Sequence, residues 1–204
     1  MSNQPSAPSL DATVQSLIRA LGGREELPAW RARRALEAIG PAAVPELIEA
    51  LHHGPPEVRW EAAKALGTIA DPGSADALIA ALQDDDGGVR WLAAEALREI
   101  GRPSVPPLLM ALVSHSESPW LREGAYHALR SLAADELAPI LTPVVQSMHG
   151  IAPAIGVMSA ADQALAELAA LPNVPSSAPQ AWRATRGPRL HPAHGQWRNL
   201  ALRL

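Results

Sequence analysis

Val58-Arg59-Trp60-Glu61-Ala62-Ala63-Lys64-Ala65-Leu66 returns 31 residues later as Val89-Arg90-Trp91-Leu92-Ala93-Ala94-Glu95-Ala96-Leu97. Self-similarity at this period restricts the chain to a stack. Each copy is one supersecondary unit whose apolar face only a neighbouring copy can bury, which leaves the outer surfaces for recognition. The leucine that closes the motif carries the period outward. Leu36, Leu66, Leu97 and Leu129 are spaced by 30, 31 and 32 residues, and three positions beyond each stands a second aliphatic: Ile39, Ile69, Ile100 and Leu132. An i, i+3 pair of this kind marks one face of a helix. The copies ending at Leu36 and Leu129 are the degenerate ones.

A break follows each of these helices, at Gly40-Pro41, Asp71-Pro72-Gly73, Gly101-Arg102-Pro103 and Ala134-Asp135. Proline ends one helix and suits the first turn of the next. The next apolar clusters are Leu47-Ile48-Leu51, Leu78-Ile79-Leu82, Leu108-Leu109-Leu112 and Ile140-Leu141-Val144, so each copy reads as helix A, turn, helix B. Val14, Leu17, Ile18 and Leu21 predict a lone B helix at the front, stopped by Gly22-Gly23. Ser159 to Leu171, with Leu165, Leu168 and Leu171, predicts a closing A helix.

Val-Arg-Trp-x-x-Ala-x-Ala-Leu-x-x-Ile followed by a Pro/Gly turn and a leucine pair resembles the HEAT repeat, in the short bacterial version of the lyases that attach bilins to phycobilisome proteins. The resemblance covers about residues 25 to 150. It implies a right-handed α-solenoid of stacked antiparallel helix pairs, with A helices outside and B helices lining a concave side. The expected organisation is a cap helix in residues 1–24, a repeat array over 25–171 and a non-repetitive C-terminal tail over 172–204.

Composition fits an all-α chain with an aliphatic core: 48% of residues are hydrophobic, with no Phe and one Tyr. Cysteine is absent, which excludes disulfides and thiolate metal sites. Neither a secretory signal nor an 18-residue apolar run is visible, so a cytoplasmic location is expected. Residues 1–171 hold 12 Lys/Arg against 21 Asp/Glu, whereas 172–204 hold five Arg and no acid. The tail is too rich in Pro, Gly and Ser to continue the array. Its end, Gln196 to Leu204, spaces Trp197, Leu200 and Leu204 along one helical face. It reads as an arm that folds back on the acidic solenoid, reaches into another subunit or stays free.

No constellation of residues points to catalysis. Gly-x-Ser-x-Gly and the phosphate-cradling Gly-x-x-x-x-Gly-Lys are missing. Asp84-Asp85-Asp86-Gly87-Gly88 lacks the alternation of a calcium loop and reads as a helix cap. His52, His53, His115 and His149 fall at B-helix ends, too far apart to converge on one metal ion. The His-Glu dipeptides that hold iron in a hydroxylase family with similar repeats are also absent. Trp30, Trp60 and Trp91 recur in register and read as packing between neighbouring A helices, with Trp120, displaced by one turn position, expected to be more exposed. Arg59, Arg90 and Arg122 share one position. They read as structural, with Asp84, Asp85 and Asp86 placed to pair in the third copy. An acidic solenoid repels a phosphate backbone, which argues against nucleic acid as a partner.

The B helices carry the remaining signal. Aligned on their leucines they present Glu49, Ala80, Met110 and Thr142 in one row, and Ala50, Ala81, Ala111 and Pro143 in the next. A solvated face would carry Lys, Glu or Gln. A smooth strip of Ala and Met suits an apolar partner segment, although alanine also simply suits a helix. The expected function is a non-catalytic scaffold subunit without cofactor, in a larger complex. It would hold a protein partner through Glu49, Ala80, Ala81, Met110, Ala111 and Thr142, and through Trp182, Arg183, Arg186, Arg189, Trp197 and Arg198 of the tail. The alternative, implied by the resemblance, is a lyase-like or maturation factor acting on a chromophore- or cofactor-bearing protein.

Overall fold

The computed structural model describes residues 9–23, 28–133, 137–149 and 153–171, so the tail and its candidate residues Trp182, Arg183, Arg186, Arg189, Trp197 and Arg198 lie outside the described residues. Every regular element among the described residues is helical. They are α1 (Leu10–Ala20), α2 (Ala29–Ile39), α3 (Val44–His53), α4 (Pro56–Ile69), α5 (Ala75–Ala81), α6 (Gly87–Ile100), α7 (Val105–Ser114), α8 (Pro119–Leu132), α9 (Ala138–Ser147) and α10 (Pro153–Ala170). Short 3-10 turns at Gly40–Ala43, Pro72–Ser74 and Arg102–Ser104 join α2 to α3, α4 to α5 and α6 to α7.

Local chemistry sets these boundaries. The Asp86 carboxylate accepts the Gly88 and Val89 amides at 2.7 and 3.1 Å, and the Ser118 hydroxyl accepts the Leu121 amide at 3.3 Å, so α6 and α8 begin on capping side chains. Pro56 and Pro119 fill first-turn positions that need no amide donor. Three of the four A helices end in a residue of positive φ, Gly40 at 73°, Gly101 at 76° and, between them, Ala70 at 53°, whereas α8 ends at Ala133 with φ −79°. In the 3-10 turn that follows α6, the buried Ser104 hydroxyl lies 2.8 Å from the Leu97 carbonyl, satisfying one of the acceptors that a helix end leaves open.

Ala70 carries a Cβ where its counterparts are glycine, at a cost of roughly 1–2 kcal/mol for an L-residue in the left-handed region. Ala70→Gly is therefore expected to stabilise the protein by about 1 kcal/mol. For a chain of this size that raises the thermal midpoint by about 2–4 °C, read by circular dichroism.

Helices α2, α4, α6 and α8 pack in succession as one layer, and α1, α3, α5 and α7 form the second. The spine between them is aliphatic and alanine-rich: Ala62, Ala63, Ala65 and Leu66 of α4, and Ala93, Ala94, Ala96 and Leu97 of α6, are all buried. Small residues bring these helices close. A Cβ built on Gly67 would lie 3.1 Å from the Ala96 Cβ.

The last helix departs from expectation. It begins at Pro153 rather than Ser159, and it packs chiefly on α7 and α9, not on α8 where a closing A helix would sit. Its buried stripe is Val157, Ala161, Ala164 and Leu168, while Leu165 is half-buried and Leu171 exposed. Three of these four side chains are small or β-branched, and α10 runs for 18 residues, so it lies closely along α7. The shorter α9 carries Pro143 in its interior, where no amide is available for the helical bond.

Candidate partner-binding surface

The recurring arginines are staples rather than ligands for a partner. Each donates to a carbonyl of the turn that precedes its own helix: Arg59 to Gly54 at 3.1 Å, Arg90 to Asp84 and Asp85 at 2.6 and 3.1 Å, and Arg122 to Ser116. Those carbonyls are the open acceptors behind the preceding B helix. The acids go to a different arginine from the one expected. Asp84 takes Arg59, of the preceding copy, in a two-pronged pair with both distances 2.8 Å, and Asp85 joins it. The hydrogen bond to Asp84 raises the Arg59 pKa against the opposing effect of burial. Burial also lifts the Asp84 carboxyl, which Arg59 only partly offsets, while exposed Asp85 is held low by its contact with Asp84 and by Arg59.

Trp120 corrects the sequence reading, because it is buried at 8% exposure under the Arg90 guanidinium, 4.3 Å from the ring centre. Trp30 is the exposed tryptophan, at 55%. The first copy has Ala29 where later copies have the arginine, so nothing staples that end of the row. Trp60 packs over the start of α6, where a Cβ on Gly88 would meet its ring at 3.2 Å, and the Lys64 ammonium lies over that ring, 4.7 Å from its centre. Trp91 stacks at a tilt on His127, which also pairs with Glu95. Burial works to raise the Glu95 carboxyl, but His127 and Arg98 outweigh it and hold the pKa below the ordinary value. Among the described residues, no group of three or more His, Asp or Glu is arranged to hold a metal ion.

The B-helix row is only partly as drawn from the sequence. Glu49 is exposed and stands 3.6 Å from His53, and Ala80, Met110 and Ala111 are half-buried. Ala81 and Ala50 are buried, so each offers the row no more than an edge. α5 stops at Ala81, and the Ala81 carbonyl is tied into the turn toward α6 by the Asp84 amide at 3.1 Å. Thr142 is exposed, yet it does not continue the row, because α10 rather than α9 is the main neighbour of α7 on that side.

A better-formed feature lies at the front of the same layer. A trough of about 960 Å³ runs between α1 and α3 and onto the start of α4. Half-buried Ile18, with the edges of buried Ala50 and Val58, supplies its apolar floor, and Glu46, Glu49 and Glu57 its acidic rim, with Arg19 and His53 as the cationic groups on the lining. A second depression of about 440 Å³ adjoins it, sharing Gly22 and Glu57 and reaching Trp60. Glu46 and Glu57 make no ion pair among the described residues. Of these lining residues, sequence reading selected Glu49 alone. The others come from three helices up to 40 positions apart, and only the packing of α1 beside α3 gathers them.

Two layers of helix pairs, each contacting its neighbours, define an α-solenoid. The family model described as HEAT repeats matches residues 14–98 and 75–150, and the chain belongs to that family. The match supports the repeat and carries nothing of the lyase subtype. No curated protein matches the chain.

Proposed function

We propose that this chain is a non-catalytic interaction subunit that holds a protein partner on its B-helix layer, with the C-terminal arm as a second attachment element. HEAT repeats in general mediate such contacts, and no described helix is long and apolar enough to cross a membrane. The observation that carries the reading is the character of the B layer. Stacking leaves Ala80, Met110 and Ala111 half-buried on α5 and α7, where a solvated helix face would carry charge, and an acid-rimmed trough opens separately at the α1–α3 end of the same layer. An apolar segment with basic flanks fits that surface. A cytoplasmic complex is the setting it suits.

Ala80→Glu with Met110→Glu tests this. Both sites are half-buried on one side of their helices, so the helical content is expected to persist while capture of the partner from the native source is lost. Unchanged capture by the double variant, with unchanged circular dichroism, rejects the B layer as the contact surface.

A further inference from the structure

We infer that in the free protein the chain's own C-terminal arm, through residues 196–204, occupies the trough between α1 and α3. The trough has half-buried Ile18 and the edges of buried Ala50 and Val58 as its floor, beneath Glu46, Glu49 and Glu57. Two of those acids have no ion-pair partner among the described residues, and Glu49 meets His53 alone. The arm is complementary on both counts. Trp197, Leu200 and Leu204 fall at i, i+3 and i+7, Arg198 and Arg203 flank them, and residues 172–204 contain no acid at all.

Chain length permits the contact. The B layer runs α1, α3, α5, α7 and then α10, which at about 8–10 Å between neighbouring axes places α1 roughly 32–40 Å from α10. From Leu171 to Trp197 is 26 residues, which span up to about 86 Å when extended, whereas Trp182, 11 residues out, reaches only about 36 Å. Trp182 is therefore at the limit, and the terminal segment has slack to enter the trough at any angle. Ion pairs at such an open rim contribute little singly, about 0–1 kcal/mol each. Burial of the Trp197 ring is the main favourable term, and the acids select an arginine-bearing segment over a neutral one. A partner segment of the same chemistry would compete for the trough.

The test uses the full chain, which has no native cysteine. A nitroxide is attached to Asn199→Cys, and amide signal intensities are read by nuclear magnetic resonance. The expected result is strong loss of intensity at Ile18, Gly22, Ala50 and Gly54, unchanged on dilution. Glu49→Lys with Glu57→Lys restores those signals, and adding Arg198→Glu with Arg203→Glu to the same chain brings the loss back. The exchange of charges separates a lost contact from a damaged fold. Intensity loss elsewhere, no loss, or loss that disappears on dilution overturns the proposal. The trough lies apart from Ala80 and Met110, so this experiment and the capture experiment fail independently.

Discussion

Arg90→Ala is expected to lower the unfolding free energy by about 3–5 kcal/mol, the range for removing one partner of a buried charged network. Against a total stability of roughly 5–15 kcal/mol, that leaves a marginal protein. Arg90 is 1% exposed, donates to the carbonyls of Asp84 and Asp85, and covers the Trp120 ring. It thus joins the end of α5, its own helix α6 and the start of α8 in one side chain. Truncation leaves two part-buried carbonyls without that donor, opens a cavity beside Trp120 and removes the positive charge that opposes the upward effect of burial on the Glu123 carboxyl. Burial lowers the pKa of Arg90 itself, so part of its interaction energy offsets its own desolvation. Arg90→Met, which keeps much of the volume without that penalty, is therefore expected to lose less than Arg90→Ala. Urea unfolding with an unchanged m-value checks both. A loss below about 1 kcal/mol, the level of an ordinary surface substitution, would contradict the staple.

The second large effect is a coupling between Leu82 and Gly124. A Cβ on Gly124 would lie 2.6 Å from Leu82 Cδ2, and Leu82 is fully buried, so its side chain has nowhere to withdraw. Gly124→Ala is expected to cost about 1–3 kcal/mol through overpacking, and Leu82→Ala about 2–5 kcal/mol through the cavity it leaves. The double variant removes the clash and partly fills the cavity. Its loss should fall short of the sum of the two by at least about 1 kcal/mol, as expected for residues in contact. Strict additivity in denaturant unfolding would mean that the end of α5 and α8 do not meet in this register.

Much of the array was legible from the closing leucines and the turn chemistry. Leu66 and Leu97, with the i+3 aliphatics Ile69 and Ile100, place α4 and α6, and Gly101 or Pro72 marks where the chain turns back. What escaped the sequence depends on direction rather than period. Trp120 stands three residues ahead of the position that Trp60 and Trp91 occupy, nearly one turn of helix nearer the start of α8, and there its ring lies under Arg90 instead of outward. Asp84 is nearer in sequence to Arg90, yet its carboxylate faces the preceding copy and takes Arg59. The alanine stripe of α10 announces a close-packed helix but not its neighbour, and the choice of α7 over α8 is made by the space that the stack leaves. The trough between α1 and α3 belongs to the same class. Its residues are ordinary in sequence and become a surface only when α1 lies beside α3.

Native-state hydrogen exchange tests the central claim, that a stack of nearest-neighbour contacts carries the binding surface. Interior repeats have neighbours on both sides and terminal ones on one side, so stability in such an array is a sum of local interface contributions. Amides of α4, α6 and α8 are expected to be the most protected, with protection falling in steps toward α1 at one end and α10 at the other. Equal protection from α1 to α10, or a maximum at either end, would contradict it.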